Sequence, residues 1–159
     1  MKQGTLLTYN CDPGYEMLDV DKVLCGNRGQ WVKPFPKCKT VLCQTPETVA
    51  NGRASFGGIT FGEVVTYRCK KGHYLLGPLN STCTEIGIWE PPPPKCVPVN
   101  CGDMAPPEYG IVLYDQSTYK NIARYSCKEG FSLRGPSERQ CTSSGRWGNK
   151  QPRYVCINF

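Results

Sequence analysis

The sequence has one histidine in 159 residues, three methionines, and no apolar run long enough for a signal peptide or a membrane span. Helical heptads are missing too. Each shortage excludes something. A single histidine leaves little material for imidazole catalysis or a histidine-based metal site. The 13 Asp and Glu do not compensate, because they are scattered singly. Neither a glycine-rich phosphate loop nor the spaced aspartates of a calcium loop occurs. No metal or cofactor is implied, and the chain reads as non-catalytic. Met1 leads straight into the polar KQGT, so targeting information is expected to lie outside this segment.

What is abundant is glycine (17), proline (14), tyrosine (9) and cysteine (11). Cysteine at that density points to a disulfide scaffold built from small β-modules. Such bonds persist only in an oxidising compartment, which predicts a secreted protein or the extracellular side of a cell surface and argues against nucleic acid as a partner. The close pairs Cys38/Cys43 and Cys96/Cys101 each enclose four residues instead of the two usual in zinc sites, which favours disulfides over metal. Eleven is an odd number. At least one thiol has no partner within the chain.

Internal repetition decides the architecture. Cys11, Cys69 and Cys127 are 58 residues apart, as are Cys25, Cys83 and Cys141. Tyr9/Tyr67/Tyr125, Gly14/Gly72/Gly130, Gly29/Gly87/Gly145, Trp31/Trp89/Trp147 and Met17/Leu75/Leu133 keep the same step. Copies two and three hold four cysteines each, at 43, 69, 83, 96 and at 101, 127, 141, 156. Copy one holds three, at 11, 25 and 38, and its missing first cysteine would fall ahead of Met1. The chain therefore reads as modules at 1–38, 43–96 and 101–156, the first truncated at its N-terminus.

Four cysteines, a glycine after the second and a tryptophan between the third and fourth resemble the sushi module, also called the complement control protein or short consensus repeat module. TYRCKKGHYLLG (66–77), IWEPPPPKC (88–96), ARYSCKEGFSLRG (123–135) and RWGNKQPRYVC (146–156) carry the resemblance. It implies an all-β fold of tandem, sandwich-like disulfide modules. It also implies first-to-third and second-to-fourth pairing: Cys43 with Cys83, Cys69 with Cys96, Cys101 with Cys141, Cys127 with Cys156, and Cys11 with Cys38 in the short copy. Cys25 is then left over, and is expected to be a free thiol or bonded to another molecule as a disulfide-linked dimer. Module termini at opposite ends, with the four-residue linkers KTVL and VPVN, imply an elongated rod.

Within the modules, FGEVVTYRC places Phe61, Val65, Tyr67 and Cys69 at mostly two-residue intervals, as in a half-buried strand. The tryptophans read as core filling. His73 shares a column with Tyr15 and Phe131, so it reads as a packing residue. PPPPKC (91–96) reads as a stiff final strand. The two additional residues between Trp147 and Cys156 are expected to bulge.

Net charge is +6, of which module three carries +3. In YKNIARYSCK the inward phase is Tyr119, Ala123, Tyr125 and Cys127, so Lys120, Arg124 and Lys128 fall on the opposite face, with Arg134 and Arg139 as extensions. The functional reading is a site for a polyanion such as a glycosaminoglycan or for an acidic protein; the bland reading is solvated surface. Tyr114, in VLYDQSTY, is a candidate partner contact or a residue packed on its own module. Asn80-Ser81-Thr82 is a glycosylation sequon. The resemblance implies recognition of extracellular proteins, complement fragments among them, in complement regulation or innate immunity. Adhesion, matrix scaffolding and the arm of a modular serine protease remain as alternatives.

Overall fold

The computed structural model describes residues 2–148 and 157–158. These residues are all-β apart from a 3-10 turn at Asn27–Gly29. In chain order the strands are β1 (Leu6–Thr8), β2 (Tyr15–Met17), β3 (Lys22–Leu24), β4 (Cys38–Thr40), β5 (Gly52–Phe56), β6 (Val64–Cys69), β7 (His73–Leu76), β8 (Asn80–Cys83), β9 (Trp89–Glu90), β10 (Lys95–Pro98), β11 (Gly110–Leu113), β12 (Ile122–Cys127), β13 (Phe131–Ser132), β14 (Glu138–Gln140) and β15 (Ile157–Asn158). Their pairing repeats along the chain. A main sheet (β1-β3, then β5-β6-β8-β9, then β11-β12-β14) alternates with a two-stranded ribbon (β2-β4, β7-β10, β13-β15).

The chain divides into two compact units. One comprises Met1–Val49, Ala54–Tyr67 and Gly77–Pro94, and the other Ala50–Arg53, Arg68–Leu76 and Lys95–Phe159. Each linker lies wholly within one unit and is hydrogen-bonded on both sides. In the first unit the Val41 N–H donates to Gly14 O (2.8 Å) and the Cys43 N–H to Ile59 O (2.7 Å). In the second the Val99 N–H donates to Gly72 O (2.8 Å) and the Cys101 N–H to Ser117 O (2.7 Å).

Alternation along the strands places few side chains inside. Val65 and Tyr67 of β6 are buried, as are Ala123 and Tyr125 of β12, while their strand neighbours face outward. Among the described residues the buried apolar set is ten, and four of them are cysteines: Cys25, Cys43, Cys83 and Cys141. A core this small does not hold a module of some fifty residues by burial alone. Disulfides join Cys11 to Cys38, Cys43 to Cys83, Cys69 to Cys96 and Cys101 to Cys141. They span 27 or 40 residues, for which loop-closure entropy predicts roughly 3.5 to 4 kcal/mol each. Cys127 is also disulfide-bonded; Cys156 lies outside the described residues.

In modules two and three the indole is half-buried and acts as a staple. Trp89 Nε1 donates to Gln44 O (2.6 Å) and Trp147 Nε1 to Gly102 O (3.0 Å), in both cases the carbonyl just after the module's first cysteine. His73 is half-buried, with its ring edge-on to Tyr119 at 6.1 Å.

Several expectations are corrected. Phe61 and Tyr119 are not strand residues. Each sits in a turn, Thr60–Glu63 and Thr118–Asn121, closed by an N–H to carbonyl bond of 3.0 Å, and β6 and β12 begin only afterwards. Apolar alternation had carried the strand pattern back across a turn. The prolines at 91–94 also precede the final strand, which starts at Lys95; without N–H groups they cannot donate to a ladder. The insertion expected between Trp147 and Cys156 falls largely outside the described residues.

For Cys25 the expectation is a free thiol or a bond to another molecule. It is free and only 1% exposed, in the column where Cys83 and Cys141 are bonded. Its backbone is tied on both sides, the N–H to Thr5 O (2.9 Å) and the carbonyl to Gly4 N–H (2.9 Å), and it bridges Trp31 across the turn. A thiol so enclosed is shielded from solvent, and a disulfide to another chain would need this module to open around it. A water-soluble thiol reagent should label the native chain slowly and take up one equivalent once denaturant is added. Rapid native labelling, or a reducible dimer on a non-reducing gel, would contradict this burial.

Candidate protein-binding surface

The three-stranded sheet of module three has two unlike faces. Register pairs Leu113 with Arg124, Ile111 with Ser126, Arg124 with Glu138 and Ile122 with Gln140, so these residues share the outer face. Val112, Ala123, Tyr125 and Arg139 share the other. On the outer face three aliphatic side chains stand in solvent: Ile111 is 47% exposed, Leu113 66% and Ile122 38%. A sheet normally turns polar residues to water, so three aliphatics on one small outer face make it a candidate contact surface.

The equivalent face of module two differs. Counting back 58 residues from Leu113, Ile122, Arg124, Glu138 and Gln140 gives Ser55, Val64, Thr66, Asn80 and Thr82. Only Val64 is aliphatic, and Asn80 and Thr82 of the sequon are exposed there. One frame thus presents a polar face in one module and an apolar one in the next.

Charge borders the apolar patch. Arg124 Nε donates to Glu138 Oε1 at 2.8 Å, with side chains 67% and 49% exposed. Water screens such a pair, which contributes at most about 1 kcal/mol to stability, so the guanidinium can exchange Glu138 for an incoming acid at small cost. Lys120 lies in the turn before β12 at φ 73°, the position held by Gly62 at φ 83° in module two, and its ammonium sits 5.6 Å from the centre of the Tyr119 ring. A cleft of about 540 Å³ lies between Leu113, Tyr114, Asp115, Lys120, Asn121, Ile122 and Arg124.

The five candidate cations do not form one stripe. Lys120 and Arg124 share the cleft. Lys128 is exposed beyond the far end of β12, some eight residues from Lys120, or on the order of 25 Å in extended chain. Arg134 is exposed in the loop between β13 and β14. Arg139 belongs to the opposite face, since it pairs across the ladder with buried Ala123 and donates through Nε to Gly148 O (3.0 Å) and through Nη2 to Trp147 O (2.8 Å). It is a structural clamp, made possible by the small side chain opposite it. Tyr114 packs on its own module: its hydroxyl donates to Asp103 Oδ1 and accepts from the Met104 N–H, both at 3.2 Å, and its ring meets Trp147 edge-on at 5.6 Å. Ile111, Leu113 and Ile122 were missed from the sequence, although column-by-column comparison at the 58-residue step contains the signal.

The pattern of the Sushi repeat (SCR repeat) family matches residues 2–38, 43–96 and 101–156. The chain belongs to the sushi-repeat family. Similar proteins include the mouse (Mus musculus) "Sushi, von Willebrand factor type A, EGF and pentraxin domain-containing protein 1", 37% identical over 149 residues. Bovine (Bos taurus) E-selectin is 32% identical over 164 residues and rat (Rattus norvegicus) P-selectin 31% over 158. Each match covers 94% of this chain, but the matched part is only 4% of the mouse protein, 33% of E-selectin and 21% of P-selectin.

Because Arg139 satisfies two carbonyls beside the tryptophan, Arg139→Ala should lower the stability of module three by about 1 to 3 kcal/mol. Arg134→Ala, in an exposed loop, should stay within about 0.5 kcal/mol of wild type. Denaturant midpoints of the two variants compare them; equal midpoints would remove the clamp.

Proposed function

We propose that this chain is a non-catalytic, extracellular recognition segment, and that the outer face of module three is its contact surface for a protein partner. The observation that carries the reading is Ile111, Leu113 and Ile122 standing exposed beside Lys120 and Arg124. Such a face suits a partner with an apolar centre and an acidic margin, because aliphatic burial supplies affinity and the two cations supply orientation and encounter rate. An extracellular setting is supported by the disulfides that the modules need for stability. Similarity to the selectins favours adhesion over complement regulation and over a protease arm among the roles the sequence leaves open.

A glycosaminoglycan is the second reading, resting on Lys120, Arg124 and Lys128. The spread of those charges and the pairing of Arg124 with Glu138 weigh against it. Asn80 is proposed to carry an N-glycan. It is exposed on β8 beside Thr66, and a glycan there covers the module-two face that corresponds to the binding face of module three.

Two measurements test this. Immobilised chain is offered to intact cells, to complement fragments and, separately, to heparin. Ile111→Ser/Leu113→Ser/Ile122→Ser should lower protein or cell binding at least tenfold and leave heparin elution unchanged, whereas Lys120→Ser/Arg124→Ser/Lys128→Ser should shift heparin elution only slightly. Cell or fragment binding that survives the aliphatic substitutions would remove the surface, and complete loss of heparin retention in the lysine and arginine variant would favour the polyanion reading. For Asn80, protein from a secretory host should lose mass on treatment with an N-glycosidase, and Asn80→Gln should abolish that loss; unchanged mass would leave the site bare.

A further inference from the structure

Gly14, Gly72 and Gly130 hold one turn three times, at φ 86°, 80° and 85°. In each, the N–H of the following residue donates to the carbonyl three positions back at 3.1 Å, and a strand begins: β2, β7 or β13. Positive φ alone accounts for glycine here. The first two copies show a second reason. A Cβ added at Gly14 would collide with the Phe61 ring, and one at Gly72 with the Tyr119 ring.

Phe61 and Tyr119 belong to one column, each 47 residues after the glycine it covers and each part of the next module. Backbone bonds fix both arrangements alike. The linker N–H groups of Val41 and Val99 donate to the glycine carbonyls, and the Phe61 and Tyr119 N–H groups donate back to Val41 O (3.3 Å) and Val99 O (2.8 Å). Bare glycine is thus a seat on which the ring of the following module lies against the backbone.

At Gly130 no atom of another described residue comes within 4 Å of the corresponding position. The strand arrangement leading away from it is nonetheless the same. Phe131 pairs with Asn158 as Tyr15 pairs with Thr40 and His73 with Pro98. Beside the glycine, Tyr109 stacks on Phe131 at 4.6 Å with the rings 4° from parallel, and Tyr109 is held at φ 53° with half its surface exposed. A bulky residue at positive φ is costly, so this pair of an exposed Tyr109 and a half-buried Phe131 is held in place by its surroundings. Phe131 stands in the column of His73, which meets the seated Tyr119 edge-on.

We propose that Gly130 is a third seat, and that its occupant is the aromatic ring of a further sushi module, at the column of Phe61 and Tyr119, received between bare glycine and the edge of the Tyr109–Phe131 pair. A second copy of this chain does not fit. Its Phe61 and Tyr119 are already seated, and the same column in module one is Gln3, whose side-chain amide bonds Asn27.

The test extends the full chain after Phe159 with a second copy of residues 42–98, which supplies another Phe61. An aromatic face shields protons beneath it, so the α-protons of Gly130 should move upfield towards the positions of Gly14 and Gly72, and Phe61→Leu in the added copy alone should reverse the move. Phe61→Tyr in that copy should preserve it, as Tyr119 does on Gly72. The proposal fails if Gly130 resonates identically in extended and unextended chains while Gly14 and Gly72 stay shielded, or if its shift survives the leucine.

Discussion

Covalent closure does in each module what a large apolar interior does in an ordinary domain. Among the described residues the buried apolar set is ten side chains, four of them cysteines, spread over three modules. In module two Val65 and Tyr67 are buried, as are bonded Cys43 and Cys83, and the tryptophan indole donates to the carbonyl beside the first cysteine. Module three repeats the plan with Ala123, Tyr125, Cys141 and Trp147. In module one the Cys25 thiol is free and enclosed where its counterparts are crosslinked.

A frame held in this way leaves its outer surface free to vary. Residues on the solvent face of a crosslinked sheet contribute little to folding, so polar and aliphatic sets can occupy the same positions without loss of structure. Thr66 and Asn80 of module two correspond to Arg124 and Glu138 of module three, and Ser55 to Leu113. Function on a repeated scaffold is set by such substitutions, while the columns of cysteine, glycine and tryptophan stay constant.

The family and its all-β character were legible because those constant residues are the ones that geometry constrains most. Crosslinks need fixed partners, tight turns need glycine, and the staple needs an indole N–H. The surface was less legible. Strict alternation placed Phe61 and Tyr119 inside strands, although each belongs to a turn whose φ > 0 position is filled by Gly62 in one case and by Lys120 in the other. No local pattern announces a lysine in that conformation. Arg139 looked like one more surface cation. Its inward face follows only from pairing with Ala123, a small residue whose significance depends on what lies across the ladder. Tyr114 was open to two readings; Asp103 and Trp147 hold its hydroxyl and ring on its own module, and the residue also lines the cleft with Lys120 and Arg124.

The order of crosslinks in module two also governs how the chain behaves under tension. Load entering at Cys43 crosses directly to Cys83 through the disulfide, and only the 13 residue steps from Cys83 to Cys96 remain to be drawn out. Their contour is about 45 Å, against roughly 185 Å for the 53 steps from Cys43 to Cys96 in a reduced chain. A module pulled from both ends therefore yields a short, bounded length and then stops. Force applied across it stretches the module without paying out the polypeptide.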